Sequence, residues 1–185
     1  MKKIFLTILI TSSIAVSTRA GENPTPAISA SAAAPAAIQW TTMSDALTKS
    51  TKSKKKILID FFTDWCGWCK KMDKTTYEDP RVIEVINKYY IPVKFNAESE
   101  GPIKYKGKEY ALKPSGMRST HELATFLLNG QMGYPTTTFL GNTHELISNL
   151  PGYISAEDMV SILTYFGQDA HLTMTYDEFK KGINK

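Results

Sequence analysis

Cys66 and Cys69 are the chain's two cysteines, and they stand two residues apart in Trp65-Cys66-Gly67-Trp68-Cys69-Lys70. Several chemistries use such a pair. A zinc site needs four ligands and this motif supplies two, while His121, His144 and His171 are scattered without paired-ligand spacing. Covalent haem attachment needs a histidine after the second cysteine, where Lys70 stands. A purely structural disulfide across so short a loop gains little chain-entropy stabilisation. Thiol–disulfide exchange fits best. No metal and no cofactor beyond the Cys66–Cys69 disulfide itself is expected. With Cys66 at a helix N-terminus, unpaired N–H groups and the helix dipole favour its thiolate, which attacks a substrate disulfide. Cys69, one turn further on and less exposed, then resolves the mixed disulfide with the help of a base.

The elements that must position this pair follow from pattern. Ile57-Leu58-Ile59-Asp60-Phe61-Phe62 is a short β-branched and aromatic run, a buried central strand leading into the motif. Asp60 interrupts it, and a carboxylate buried there needs a partner or a purpose. Phe61 and Phe62 read as core. A helix is expected from Cys66 to Thr75. Another opens at Asp79-Pro80, a cap followed by proline at the first helical position. Upstream, Thr42 or Ser44 caps a short helix through Leu47 that runs out in the lysine-rich stretch 49–56, and Trp40 reads as a packing residue. That basic stretch lacks interleaved aromatics and reads as a solvated helix end.

Ile91 to Phe95 returns to strand character, and residues 98–116 are polar, with Lys106-Gly107-Lys108 turning a small hairpin. Ser119-Thr120-His121-Glu122 reads as a capping box for a helix carrying Leu123, Phe126 and Leu127, with Gly130 just past its end. Strands are expected at Thr136–Leu140 and Glu145–Leu150. A helix capped by Ser155 carries Met159, Ile162, Leu163 and Phe166, and Thr175 starts a last short helix. Early alternation of strands and helices with a late hairpin predicts an α/β fold, a central mixed sheet flanked by helices. The three histidines read as surface or cap residues.

The first twenty residues form a label of a different kind. A basic start, an uncharged run from Ile4 to Val16 and small residues at Thr18 and Ala20 make a signal-peptide pattern with cleavage near Ala20. The run is shorter than the about 20 apolar residues of a membrane span. The chain of 185 residues has a formal charge of +4 from 22 basic and 18 acidic residues. Lys2, Lys3 and Arg19 fall within the signal, which holds no acid, so 22 less 3 leaves 19 basic against 18 acidic residues and a net charge of +1. A nucleic-acid partner is therefore not expected. Residues 21–37, rich in Ala, Ser and Pro, read as a flexible linker. Residues 38–185 remain for one domain, and the 42% hydrophobic content suffices for its core. Export places the cysteines where a disulfide persists.

Ile57 to Lys70, ILIDFFTDWCGWCK, resembles the thioredoxin family's central strand, active-site tryptophan and CxxC helix start. The resemblance extends loosely over Trp40 to Phe166. It implies a thioredoxin fold with an insertion before the cis-proline loop and an extra C-terminal helix. It also implies that Asp60 shuttles a proton to or from Cys69, with a pKa raised by burial. Lys94 matches the family's lysine near that aspartate. Tyr134-Pro135-Thr136 resembles the loop whose cis-proline faces the CxxC and helps bind substrate backbone. Trp65, Gly67, Trp68, Tyr134 and Pro135 are thus the expected substrate-binding residues. Departures are Gly67-Trp68 between the cysteines, the absence of a proline kink after Cys69, and Tyr134 before the cis-proline. CGWCK followed by Met72-Asp73 looks like the exported thioredoxin-like proteins of bacteria, including the soluble domain of the membrane electron transporter.

These readings imply a periplasmic or secreted monomer active in redox homeostasis. It would exchange disulfides with other exported proteins, as a reductase recharged by a membrane electron donor. The alternatives are a disulfide oxidase or isomerase, or a non-catalytic binding module that keeps the disulfide for structure and uses residues 98–116 as a partner surface.

Overall fold

A computed structural model describes residues 37–183. The expected signal peptide and nearly all of the expected linker lie outside the described residues.

Thr42 is the first cap: its side chain accepts the N–H of Asp45 and opens α1 (Met43–Ser53). The helix runs past Leu47 into the lysine-rich stretch, and Lys54 closes it in the left-handed region at φ 58°. The polar run proves helical because Ala46 and Ser50 are buried along one face while the lysines stay in solvent. The strand β1 (Lys56–Phe62) follows, then α2 (Gly67–Thr75), α3 (Pro80–Tyr89) and β2 (Tyr90–Asn96). Asp79 caps α3 by accepting the Arg81 N–H at 2.9 Å.

Two hairpins come next. The first is β3 (Ile103–Tyr105) with β4 (Lys108–Tyr110), joined through Lys106 and Gly107. Both turn residues have positive φ, 47° and 81°, which suits the glycine and matches the twist of the flanking strands. The second hairpin, β5 (Leu112–Ser115) with β6 (Arg118–His121), is not foreshadowed by any hydrophobic alternation, and β5 is exposed throughout. It also corrects the capping-box reading. Ser119 and Thr120 belong to β6, and His121 caps α4 (Glu122–Leu127) by accepting the Leu123 N–H on Nδ1 at 3.1 Å. His121 is fully buried, donates from Nε2 to the Gly101 carbonyl at 3.0 Å and stands edge-on to Phe95.

The chain finishes with β7 (Thr136–Leu140), β8 (Leu146–Pro151), α5 (Ala156–Gly167), a 3-10 turn at Ala170–Leu172, and α6 (Tyr176–Ile183). The main sheet has the order β2-β1-β7-β8, with β1 parallel to β2 and antiparallel to β7. It is mixed, as the pattern required.

Alternation along β1 divides the core. Ile57, Ile59 and Phe61 join Val93, Phe95, α1, the first hairpin and α4 on one face. Leu58 joins Met72, Val82, Ile86, Phe139, Met159 and Leu163 on the other, under α2, α3 and α5. Phe62, read as core, is only half-buried, because it lies at the strand's end. Asp60, two residues from Leu58, points with it toward the α2 side. Among the described residues no helix is long and apolar enough to cross a membrane.

Candidate active site

The strand β1 delivers the motif through the turn Thr63-Asp64-Trp65, where the Cys66 N–H bonds the Thr63 carbonyl at 3.1 Å. Cys66 is the N-cap of α2 in extended conformation, and its Sγ accepts the N–H of Cys69 at 3.1 Å. The two cysteines form a disulfide with Cα atoms 5.3 Å apart. Both are nearly buried, Cys69 at 2% and Cys66 at 4% exposure, so the expected order holds by a small margin. When the bond opens, negative charge on Cys66 Sγ meets that amide and the positive end of the α2 dipole.

Beneath this helix the sheet carries a charge cluster with one fully buried member, Asp60. Asp60 is 1% exposed, and its Oδ2 receives Lys94 Nζ at 2.5 Å. The parallel register pairs Asp60 directly with Lys94, which explains why the two meet. Burial pushes the Asp60 carboxyl up to about 6, against the downward pull of the Lys94 charge and hydrogen bond, and the nearby Asp73 charge adds to the rise. Asp60 Oδ1 is buried and bonds no side chain or backbone group among the described residues. One oxygen is therefore anchored and the other is left for a proton.

Lys94 is held on every side. Its ammonium also bonds Asp73 of α2 and lies 5.1 Å from the ring centre of Trp40 and 5.2 Å from those of Phe62 and Tyr77. Trp40 and Tyr77 meet edge-on at 5.0 Å, so Trp40 packs as expected, and does so against the acid–base cluster. The Tyr77 hydroxyl, fully buried, has its pKa raised by burial first and by the Asp60 charge second.

Around the disulfide, the expected binding residues fall into two groups. Trp65 (55% exposed) stands edge-on to Tyr134 at 6.1 Å, next to Pro135, whose peptide bond with Tyr134 is cis. The Pro135 carbonyl is tied to the Gly152 N–H at 2.8 Å, which fixes the loop against the end of β8. Trp68 (58% exposed) lies on the other flank, against Tyr153 at 5.6 Å, with Lys71 Nζ 4.7 Å above its ring. Gly67 lies between them in open space, with nothing within 4 Å of where a Cβ would stand, so sterics do not demand a glycine.

Sequence reasoning missed Asp73, Tyr77, Tyr153, Glu98 and Arg118. Asp73 carried a usable signal: it lies one helical turn after Cys69 and so shares its face. Glu98 and Arg118 carried none, being brought to Trp65 only by the fold of the insertion. Among the described residues there is no His, Cys, Asp and Glu cluster suited to a metal.

The thioredoxin-like domain family matches residues 43–167. A curated relative, the thiol:disulfide interchange protein DsbD of Salmonella typhi, is 40% identical over 62 residues, which is 31% of this chain and 11% of that protein. DsbD of Vibrio vulnificus strain CMCP6 is 33% identical over 45 residues, 24% of this chain and 8% of the relative. The chain thus spans a small part of the curated relatives it matches. Among solved structures, the DsbH oxidoreductase superposes with a TM-score of 0.51 at 19% identity, covering 80% of this chain and 95% of that one. A thioredoxin from Thermus thermophilus gives 0.54 at 16% identity, covering 71% and 88%. At such identities the superpositions speak for the fold. With residues 43–167 matched and a CxxC pair at Cys66 and Cys69, the chain belongs to the thioredoxin-like domain family.

Proposed function

We propose that the protein is exported and works as a reductase of disulfides in other exported proteins. The Cys66 thiolate attacks a substrate disulfide, so that a Cys66–substrate bond forms, the substrate S–S bond breaks and one substrate sulfur leaves to take up a proton. Cys69 then attacks Cys66 Sγ, and Asp60 through Oδ1 takes the Cys69 proton. The Cys66–Cys69 bond forms as the Cys66–substrate bond breaks, the second substrate sulfur departs as a thiolate that takes up a proton from solvent, and two electrons have passed to the substrate. Lys94 positions Asp60. Trp65, Trp68, Tyr134 and Pro135, with open Gly67 between the cysteines, receive the substrate segment. A membrane electron donor of the thioredoxin-like relay type returns the two electrons. Support for export is the signal-peptide pattern at the N-terminus.

The observation that carries this reading is buried Asp60, with its carboxyl near 6, one oxygen anchored by Lys94 and the other unbonded. A binding module with a structural disulfide has no use for a carboxylate so costly to bury, whereas proton transfer near neutrality does. Insulin reduction by dithiothreitol tests it: the wild type accelerates the reaction and Cys66→Ser does not. An inactive wild type would leave only the binding module. The equilibrium potential of the pair against glutathione then tests direction. A value near about −270 mV supports a reductase, and one near about −120 mV an oxidase.

A further inference from the structure

The insertion between β2 and the cis-proline loop is tied to the active-site tryptophan by two charged residues. Asn96, the last residue of β2, anchors the approach on both sides. Its Nδ2 donates to Asp64 Oδ1 at 3.0 Å, just before Trp65, and its Oδ1 accepts the Glu98 N–H at 3.0 Å. Glu98 Oε2 then accepts the Trp65 indole N–H at 3.0 Å and Arg118 Nη1 at 3.3 Å. The guanidinium of Arg118, from the second hairpin, lies 4.7 Å above the Trp65 ring. The indole is thus held by its N–H, its face and, through Tyr134, its edge.

The two charges of this latch are unequally placed. The Glu98 side chain is turned inward at 23% exposure and has both neighbours as donors, while Arg118 is turned outward at 56%. A planar guanidinium with unused N–H groups suits a carboxylate in two-point contact. On the opposite flank Lys71, itself exposed, repeats the arrangement over Trp68 and Tyr153. A partner segment lying across the disulfide therefore meets a cation at each end of the aromatic wall.

We propose that Arg118, positioned by Glu98, is a specificity-determining residue that selects partner segments with an acidic residue beside the cysteine to be attacked. The proposal rests on the exchange reading above and adds the chemistry of the partner. It also gives the second hairpin a role in recognition.

The test uses two disulfide peptides that differ only in having Asp or Lys beside the cysteine, competing for the mixed disulfide trapped by Cys69→Ala. With otherwise wild-type sequence the acidic peptide is captured about fivefold in excess, as expected for an exposed charge contact. Adding Arg118→Ala lowers that ratio about threefold or more, Arg118→Lys, which keeps the charge without the two-point contact, retains only part of it, and Arg118→Glu inverts it. About 0.5 M salt suppresses it. An unchanged ratio in Arg118→Ala and Arg118→Glu overturns the proposal while leaving exchange intact. If neither peptide is captured, the exchange reading fails. Calorimetric binding of the same peptides with serine for cysteine then decides the recognition claim: an Arg118-dependent acidic preference supports it, and equal binding overturns it.

Discussion

A carboxyl raised from 3.8 to about 6 inside the sheet makes Asp60 a source of instability as well as the proposed proton acceptor. Its folded pKa lies above the unfolded one, so the folded state binds the extra proton between those values. The stabilising contribution of the protonated form is complete below about pH 4 and is lost as the pH rises through about 6. Two pKa units correspond to about 3 kcal/mol. Asp60→Asn should therefore gain about 3 kcal/mol over the wild type between about pH 3 and pH 7, read by urea unfolding of the oxidised protein across that range. Equal pH dependence in both proteins would show that the site does not hold its proton as described. Lys94 keeps Asp73 as a partner in the variant, so the substitution does not strand a cation. Asp60 and Lys94 were legible in the sequence because the family places them in contiguous strand motifs. Asp73 and Tyr77 were given no site role, because that role lies in the contact with Lys94 across elements, which the sequence does not display.

At the level of elements, the insertion depends on one buried histidine. His121 caps α4 with Nδ1, reaches the Gly101 carbonyl with Nε2, and donates its own N–H to the Ala97 carbonyl at 2.8 Å. Removing the ring strips a helix cap and leaves a carbonyl without its donor. His121→Ala should cost about 2 kcal/mol in urea unfolding, from the cap and the lost buried hydrogen bond together. A loss within a few tenths of a kcal/mol would mean that the hairpins hold α4 unaided. The sequence misread this joint for a physical reason: Ser119 and Glu122 have capping-box spacing, but the pairing of Ser119 with Pro114 claims that stretch for β6. The regular sheet was readable from its apolar runs and the helices from their caps. The second hairpin was not, because its first strand is exposed and carries no alternation to detect.

At the scale of the whole molecule the disulfide is a short-range constraint on the chain. The bond closes a loop of sequence separation 3 between the N-cap of α2 and its first turn. Chain-entropy loss for so short a loop is about 2 kcal/mol. Unfolding in urea should find the oxidised protein more stable than the reduced one by about that amount, with the same dependence on denaturant. The sign carries meaning for direction. A reductase gains stability on oxidation, whereas a strongly oxidising protein is the more stable in its reduced form. A more stable reduced protein would therefore turn the proposed direction around.

All three tryptophans of the chain lie face to face with a cation at this one site: Trp65 under Arg118 and Trp68 under Lys71, both at 4.7 Å, and Trp40 against Lys94 at 5.1 Å. No indole elsewhere contributes a constant background. The tryptophan emission of the native protein is thus a signal from the candidate active site, with one indole beside the Asp60–Lys94 cluster and one on each flank of the disulfide. Single-tryptophan variants would separate proton movement, the redox state of the cysteines and partner docking into three optical channels, with no dye attached.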